Sequence, residues 1–414
     1  MLKERVSGPY RAGRAGSYGP TAEGYRAFHP KPLPPDPPLE HSTSLLTALS
    51  AASLELGRLD GIAEILPDPD FFVYSYVRKE AVLSSQIEGT RSSLVDVLEF
   101  EAGAERRSYP RDVREVVNYI HALNVALERV RGNEAVTLAL IQDTHRTLLR
   151  GVRGGTDKPG QLKTRQNWIG ARGTSPATAD YVPPPSEETP AAMAALVSFV
   201  QEGSPDPPLL RAALVHSQFE TIHPFLDGNG RMGRLLVALL LSKWGVLRRP
   251  VLYLSYFFLK NREEYARRLQ RVRDDGDWEG WVEFFLKGVS ETSIQATVTA
   301  RAILALKQDH EQLVSRSIGG GRTGGGQRLL GLLYYQPVVS VSWVAKQIGV
   351  TFPPASHLVD DFVEMGLLKE ITGQKRNRYF RYQPYIEILE KGQPSGGKTD
   401  GATQSTGSAV RTTP

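Results

Sequence analysis

Residues 223–234 read HPFLDGNGRMGR, which places one histidine, one carboxylate, a Gly-Asn-Gly turn and two arginines within a dozen positions. The apolar spacing between Leu209 and Ile222 predicts a helix before this stretch. That helix must end near His223, because a proline disfavours helical geometry in the residue before it. Apolar periodicity resumes at Leu235, so the stretch is a tight loop that leads into the start of a second helix.

This placement explains the residue types. Unpaired backbone N–H groups at a helix start, where glycines admit close approach, form a cradle for phosphate. Arg231 and Arg234 oppose the helix macrodipole there by roughly 0.3–1 kcal/mol each, so a bound polyanion explains their charge better than stability does. Asp227 suits Mg²⁺, which usually takes one or two protein carboxylates beside phosphate oxygens and water. His223 is the available general base, and histidine is suited to taking a proton from a hydroxyl near neutral pH.

Each of these features is usually structural when it occurs alone, a histidine before a proline or a Gly-Asn-Gly turn included. Together at a helix start they predict transfer of a phosphate-containing group from a nucleotide to an attacking oxygen. Two other helical histidines, His145 and His216, have no metal-ligand spacing, and we predict that they are structural.

Upstream of the signature stretch, a carboxylate also lies at a helix end that is unfavourable for its charge. Ser84 and Glu88 lie in the last turns of a helix predicted from about Phe71, with Gly89 as its C-cap. A carboxylate at this end faces the negative pole of the helix dipole. The sequence therefore predicts a cation that compensates Glu88.

The composition limits the class of protein. With 414 residues, the chain should hold two or three domains of about 100–200 residues each. Its 40% hydrophobic and 23% charged residues are typical of a soluble globular protein, and a net charge of +5 does not by itself imply nucleic acid. We find no membrane-length apolar run and no signal core, and the absence of cysteine excludes disulfides and thiolate catalysis. These features predict a cytoplasmic location without membrane association.

Helical periodicity runs through most of the chain from residue 42 to residue 316, so the fold class is mainly α. A β-hairpin is predicted inside this region at residues 161–185. Residues 319–326 contain six glycines, which predicts a flexible linker. The segment beyond the linker shows three helices and then two short strands, the order of a winged helix-turn-helix.

The stretch at residues 223–234 resembles the Fic family signature HPFx(D/E)GNGRxxR, which it matches at every fixed position. Residues 166–170 and 181–185 resemble the family's flap, and residues 277–281 resemble its later helical segment. The resemblance extends over roughly residues 30–300. It implies a Fic-type helical bundle with a β-hairpin flap, and transfer of AMP from ATP to a Tyr, Ser or Thr hydroxyl of a target protein.

The resemblance also implies residue roles. His223 would deprotonate the target hydroxyl and Asp227 would hold Mg²⁺. Phosphate and nucleotide would be bound by Gly228, Asn229, Gly230, Arg231 and Arg234. The flap would pin an extended piece of target by strand addition, through Gln166, Asn167, Trp168 and Ile169.

Two positions refine this assignment. A kinase branch of the family carries lysine where this chain has Gly230, which favours AMP transfer. Many relatives carry two tyrosines where this chain has Tyr265 and Ala266. Tyr265 is therefore either a residue of the nucleotide pocket or a plain aromatic on a helix face.

Ser84, Glu88 and Gly89 resemble the family's inhibitory motif (S/T)xxxE(G/N). In that family the glutamate pairs with the second signature arginine and blocks productive placement of the ATP γ-phosphate. The resemblance implies a pair between Glu88 and Arg234, in the class whose inhibitory segment lies in the same chain before the signature. An isolated match would be a solvated surface glutamate, but beside an intact signature we expect inhibition.

Other functions stay open at this point. The same site could remove AMP from a modified target, with Glu88 orienting water, or transfer another nucleotide or phospho-group. A function of another class is a DNA-binding regulator, with Lys375, Arg376, Arg378 and Arg381 in the wing. The presumed recognition helix, residues 354–365, is acidic, with only Ser356 and His357 near its start suited to reach bases. Self-modification and a homodimer are further expected interactions.

The predicted divisions follow from these features. They are an extended Pro-rich arm (1–40), an N-terminal helical region with the inhibitory helix (41–110), a Fic catalytic domain (111–316), a Gly-rich linker (317–326), a winged-helix domain (327–388) and a disordered tail (389–414).

Overall fold

The computed structural model describes residues 13–65, 70–104, 109–110, 112–152, 158–171 and 173–391. The described part is mainly helical, as the sequence predicts. The elements up to the C-terminal segment are β1 (Gly16–Pro20), β2 (Arg26–Pro30), α1 (Thr43–Ile65), α2 (Asp70–Ile87), α3 (Leu94–Glu101), α4 (Val113–Arg131), α5 (Leu138–Leu148), α6 (Thr189–Gln201), α7 (Pro208–Ile222), α8 (Asn229–Lys243), α9 (Ser255–Lys260), α10 (Arg262–Asp275) and α11 (Trp278–Ser317). None of the helices in these ranges is long and apolar enough to cross a membrane.

The centre of the fold is α7, whose residues from Leu209 to Ile222 are all buried. A helix that is buried on every side needs neighbours all around it, and α7 packs against α6, α8, α10 and α11. Polar residues on this helix are therefore enclosed as well, including His216 and Glu220. The loop that joins α7 to α8 is the signature stretch, so the core itself fixes its two ends.

Helix α11 runs unbroken from Trp278 to Ser317, whereas the apolar spacing predicts two helices at 277–289 and 291–316. That division is wrong because Ser290 and Glu291 include no helix breaker. The nearby Gly288 lies within the helix and lets the ring of Phe257 approach, since a Cβ atom at this glycine would come within 2.6 Å of the ring. This glycine serves close packing and does not end the helix.

The first 40 residues do not form the predicted extended arm in their described part. Strands β1 and β2 pair antiparallel, with Tyr18 opposite Phe28. The Phe28 side chain is fully buried, and its backbone N–H donates to the carbonyl of Val182 at 2.9 Å. The prolines predicted to extend the arm follow this hairpin and do not interrupt it. Residues 1–12 of the predicted arm lie outside the described residues.

The predicted hairpin at 161–185 is reduced to a loop closed by one bridge, between Ile169 and Tyr181. Three consecutive prolines, residues 183–185, follow the second side of the bridge and cannot donate to a ladder. The carbonyl of Val182 accepts from the backbone N–H of Phe28 in β2, so this side of the loop is paired with the N-terminal hairpin. We refer to residues 161–185 as the flap.

The C-terminal module contains a 3-10 turn (Gly320–Arg322), α12 (Thr323–Leu333), β3 (Val338–Ser340), α13 (Val341–Ile348), α14 (Phe352–Glu364), β4 (Leu368–Glu370), β5 (Tyr379–Tyr382) and α15 (Gln383–Glu390). Its three strands form an antiparallel sheet in the order β3-β5-β4. The predicted linker is wrong in its second half, because residues 323–326 begin α12. Gly326 makes this helix fit, since a Cβ atom there would come within 2.9 Å of both Val314 and Ile318.

The module rests on α2, the helix that leads to Glu88. The Ser75 and Tyr385 hydroxyls are 2.6 Å apart in a buried contact, and the rings of Phe71 and Tyr334 lie 5.2 Å apart. Helix α15 makes this contact, so the predicted disorder from residue 389 is wrong at its first two residues. Residues 392–414 lie outside the described part.

Candidate active site

His223 follows the last residue of α7 and adopts the left-handed conformation, with φ 48° and ψ 60°. A non-glycine residue rarely takes this conformation and needs support from its surroundings. The flap supplies that support, since the N–H of Lys163 donates to the Pro224 carbonyl at 2.8 Å and the Tyr181 hydroxyl donates to the Thr221 carbonyl at 2.6 Å. The orientation of His223 is therefore set by the flap as well as by α7.

Asn167 lies beneath the signature loop and not on a target-binding surface. It is fully buried, and its amide donates to the carbonyls of His223 at 3.0 Å and Phe225 at 2.7 Å. Its side-chain oxygen accepts from Lys163 Nζ at 2.9 Å. The side-chain amide of Asn167 is thus committed to the signature loop, and contact of this residue with a target stays a prediction.

The other predicted flap residues stay nearer the surface. The amide of Gln166 donates to the carbonyls of Asn167 and Pro183, both at 2.9 Å. The indole N–H of Trp168 donates to the Thr174 carbonyl at 3.0 Å. Trp168 and Ile169 are partly exposed, so target contact by these two residues stays a prediction.

The phosphate cradle is built by the turn into α8. Gly228 occupies the N-cap position with φ 75°, in the region that favours glycine. The Asn229 side chain closes the loop, since it accepts from Phe225 N at 2.8 Å and donates to Phe225 O at 2.7 Å. Because the Asn229 amide is committed to the loop, the backbone N–H groups at the start of α8 are what this turn offers to phosphate.

His145 braces the same turn from α5. Its Nδ1 accepts from the N–H of Gly160 at 2.9 Å, so Nε2 carries the proton that it donates to the Asp227 carbonyl at 2.9 Å. Its ring stacks on Phe225 with centroids 3.7 Å apart and planes at 7°. Burial lowers the pKa of His145 to about 4, so the ring stays neutral. The spacing of this histidine predicts a structural role and no metal site, and its two hydrogen bonds hold the signature loop.

Asp227 is the carboxylate nearest the cradle. Its Oδ1 accepts from the N–H of Gly228 at 2.6 Å, and its side chain is 28% exposed. The described residues include no group of three or more His, Cys, Asp or Glu side chains that could hold a metal. The donor set therefore fits a cation that takes one protein carboxylate and completes its shell with phosphate and water, as Mg²⁺ does.

Arg231 is almost fully buried, and its guanidinium faces carboxylates. Its Nη1 is 3.0 Å from Glu115 Oε2, and its Nη2 is 3.8 Å from Asp227 Oδ1. In this arrangement Arg231 orients Asp227 from behind. Its contact with a triphosphate, which the resemblance implies, stays a prediction.

Arg234 and Glu88 form an ion pair, with Nη2 and Oε1 2.7 Å apart. The guanidinium also donates to Ser84, through Nε to the hydroxyl at 2.8 Å and through Nη2 to the carbonyl at 2.9 Å. Burial opposes ionisation of Glu88, yet Arg234 holds the pKa of this carboxyl below its usual range. Gly89 follows with φ 90° as the chain turns away from α2. The structure thus brings together the two charges that stand at unfavourable helix ends.

His223 is buried beside this pair, and neither of its ring nitrogens has a hydrogen-bond partner among the described residues. Burial, with Lys163 and Arg273 nearby, lowers the pKa of His223 to about 3. The ring is therefore neutral at physiological pH. A neutral imidazole can accept a proton, whereas an imidazolium cannot.

Tyr265 lies in the core behind Arg234 and does not line an open pocket. It is 6% exposed, and its ring stacks on Phe258 with centroids 4.4 Å apart. His216 Nδ1 faces the Gly233 carbonyl at 3.1 Å and must donate to it, so His216 Nε2 accepts from the Tyr265 hydroxyl at 2.8 Å. Tyr265 is thus a buried aromatic on a helix face in this structure, and its contact with a nucleotide stays a prediction.

A mainly helical fold in which a buried histidine lies beside a glycine-rich helix start is compatible with chemistry on phosphate groups. Comparison with known families is more specific. Residues 46–128 match the Fic/DOC family N-terminal model, and residues 135–241 match the Fic/DOC family model. The two matches contain Glu88 and the signature loop respectively. The chain therefore contains both domains of the Fic/DOC family, over residues 46–128 and 135–241.

Curated relatives of this chain are named as protein adenylyltransferases. The chain is 26% identical over 208 residues to a probable protein adenylyltransferase of Aquifex aeolicus, which covers 49% of this chain and 57% of that protein. It is 30% identical over 197 residues to protein adenylyltransferase fic-1 of Caenorhabditis briggsae, which covers 46% of this chain and 34% of that protein. The matches thus span less than two thirds of the length of these relatives.

A solved structure shares the fold. A Fic family protein from Desulfovibrio desulfuricans is similar with a TM-score of 0.54 and 22% identity. The similarity covers 83% of this chain and 97% of that protein. At this identity the likeness concerns the fold alone.

Proposed function

We propose that this protein transfers AMP from ATP to a hydroxyl side chain of a target protein. The observation that carries the proposal is the neutral, buried His223 next to the N-terminus of α8, whose backbone N–H groups and Arg234 could bind phosphate once Glu88 is displaced. The names of the curated relatives support the same reaction. We also propose a cytoplasmic location, because the absence of cysteine fits a reducing compartment.

The reaction would use each group in turn. The target hydroxyl oxygen attacks the α-phosphorus of ATP, and its proton passes to a ring nitrogen of His223. The bond between the α-phosphorus and the bridging oxygen breaks, and pyrophosphate leaves. The backbone N–H groups at the start of α8 and Arg234 stabilise the charge on the phosphate oxygens, since they are fixed before the reaction begins.

Asp227 would hold Mg²⁺, and Arg231 would keep that carboxylate in place. When bound, the cation neutralises charge on the phosphate oxygens. Because Asp227 is joined to the cradle through the N–H of Gly228, the same turn would position both the cation and the phosphates.

We propose further that Glu88 inhibits this reaction. Its carboxylate takes Arg234, the cation that a terminal phosphate would need, and lies over Gly230 at the start of α8. An anion already occupies the cradle in this arrangement. ATP must therefore displace Glu88, or bind with its terminal phosphate misplaced.

Label transfer from ATP tests both proposals. Glu88→Gly should raise automodification or target modification, and His223→Ala in that background should abolish it. If the double variant is as active as Glu88→Gly alone, the role of His223 is wrong. Intact mass of the product distinguishes addition of AMP from addition of phosphate or another nucleotide. Loss of AMP from a purified modified target would favour the reverse reaction instead.

For the C-terminal module we propose a winged helix. The order of α12, α13 and α14 followed by β4 and β5, with β3 completing the sheet, supports this assignment. The module packs through Tyr385 and Ser75 on α2, the helix whose other end leads to the inhibitory segment.

A further inference from the structure

Glu220 lies one turn before His223 on α7 and faces the same space. It is 6% exposed, and its Oε2 lies 3.9 Å from His223 Nδ1. Its Oε1 has no hydrogen-bond partner among the described residues. A buried carboxyl that lacks partners is unfavourable for folding, so its presence here calls for a reason.

Gly233 leaves room for this carboxyl. A Cβ atom at Gly233 would come within 2.5 Å of Glu220 Oε1 and 3.2 Å of the Phe219 ring. Gly233 stands in the interior of α8, where alanine would favour the helix by roughly 1 kcal/mol. The sequence therefore keeps a glycine at a helix position where its effect is to admit the Glu220 carboxyl.

The charges around the pair make Glu220 the natural counter-ion of His223. Lys163 and Arg273 both lower the pKa of His223, so an imidazolium there would lie beside two cations. Burial raises the pKa of Glu220 to about 7. The ionisable groups that face Glu220 or His223 from the surrounding elements are Lys163 on the flap, Arg234 on α8, Glu88 after α2, and Tyr265 and Arg273 on α10.

We infer that Glu220 is a positioning residue for His223, whose carboxylate accepts from Nδ1–H and stabilises the imidazolium formed when Nε2 takes the target's proton. Nδ1 keeps its own proton throughout, so no proton passes to Glu220. The proton on Nε2 is released to solvent after pyrophosphate leaves. This inference rests on the proposed function and deepens it. The same contact leaves the lone pair on Nε2 before the reaction, which is the tautomer that a base requires.

The tautomer can be measured without activity. In full-length protein labelled with ¹⁵N-histidine, the His223 signals are identified by their loss in His223→Ala. At about pH 8, above the Glu220 pKa, we expect the Nδ1–H tautomer in the wild type and its loss in Glu220→Leu, whose side chain has no acceptor. If Nδ1–H persists in Glu220→Leu, the side chain of residue 220 does not set the tautomer, and the inference is overturned.

Activity gives a second reading in the Glu88→Gly background. The label-transfer rate should rise as pH passes through about 7, where Glu220 ionises. In Glu220→Gln this rise should disappear, and kcat at about pH 8 should fall roughly 10- to 100-fold with little change in KM for ATP. An unchanged pH profile would overturn the inference.

Gly233→Ala is the second variant, because it should displace the carboxyl without removing it. We expect the tautomer change of Glu220→Leu and the loss of the pH-dependent rise of Glu220→Gln. A Gly233→Ala protein that keeps both would count against the inference. Absence of AMP transfer in Glu88→Gly itself, together with the tautomer change, would reject the proposed function and leave the contact between Glu220 and His223 in place.

Discussion

The Glu88 carboxylate lies directly against Gly230, so that a Cβ atom at this glycine would overlap Glu88 Oε1. The same Cβ atom would come within 3.0 Å of Arg234 Nη1. Glycine is therefore required at this position by the ion pair as well as by a phosphate that approaches the backbone. In the function proposed above, this residue of the signature would serve both the inhibited and the nucleotide-bound arrangement.

Gly230→Ala should weaken the contact between Glu88 and Arg234, because the methyl group needs the space of Glu88 Oε1. We expect automodification with labelled ATP to rise above the wild-type level, by less than in Glu88→Gly. The Glu88→Gly/Gly230→Ala double variant is the control, since it measures how far the methyl group itself impairs ATP use. A single variant at the wild-type level, with a double variant as active as Glu88→Gly, would contradict the steric account.

His145→Phe tests the brace on the phosphate turn. Phenylalanine keeps a ring that can stack on Phe225 but loses the hydrogen bonds to Gly160 and Asp227. We expect label transfer in the Glu88→Gly background to fall roughly 10-fold, because small displacements of positioned groups have large effects on rate. His121→Ala, an exposed histidine on α4, is the matched control. Equal rates in the two variants would show that the hydrogen bonds of His145 do not position the turn.

The catalytic loop was predictable from sequence because its parts are local. The helix before His223, the proline after it and the glycines before α8 all act within a few residues. The partners of the buried side chains were not predictable in this way. Arg231 meets Glu115 across 116 positions of sequence, and neither residue carries a spacing that indicates the other. Tyr265 was ambiguous for the same reason, since only the fold shows that it faces His216.

Most helices between residues 42 and 316 follow the apolar spacing of the sequence. The predictions for the arm and the linker are wrong because the structure of these segments depends on tertiary contacts. The N-terminal hairpin is held by Val182 of the flap, which the sequence of the arm does not indicate. The glycine-rich segment becomes helical at α12 because Gly326 packs against α11. Composition alone describes such segments as flexible, and packing reverses that description.

Arg14 fastens the N-terminal hairpin to the start of α11. Its guanidinium is 2.8 Å from Glu279 Oε2 and donates to the carbonyls of Pro37, Pro38 and Gly276. Arg14→Ala should lower the free energy of unfolding by roughly 2–4 kcal/mol, because it leaves these acceptors without their donor. Urea denaturation measures the change. Arg26→Ala, an exposed arginine on the same hairpin, is the control, and an equal effect of the two variants would show that Arg14 is not the fastening residue.

DNA binding by the C-terminal module would require a cationic surface on α14, the presumed recognition helix. The acidic residues of this helix disfavour such a surface. On α14, Asp361 pairs with Arg322 at 2.9 Å and Asp360 with Arg378 at 3.7 Å, while Phe352 is 56% exposed. We expect the full chain to show no binding of duplex DNA in fluorescence anisotropy, even at about 50 mM salt. Binding that weakens as salt is raised, and that a double substitution of Lys375 and Arg376 by alanine removes, would restore the regulator function.

Glu80 should make the stability of the protein depend on pH. It is buried, it accepts from Ser255 N at 3.1 Å and from the Ser255 hydroxyl, and burial raises the pKa of Glu80 to about 7. Since the folded pKa lies above the unfolded one, its contribution is fully present below about pH 4.5 and is lost as pH rises through about 7. Glu80→Gln should remove this loss, so the variant should gain roughly 1–3 kcal/mol over the wild type between about pH 5 and pH 8. Urea denaturation across that range measures the gain, with the exposed Glu128→Gln as control. A difference between Glu80→Gln and wild type that does not change with pH would show that Glu80 is ionised in the folded protein throughout.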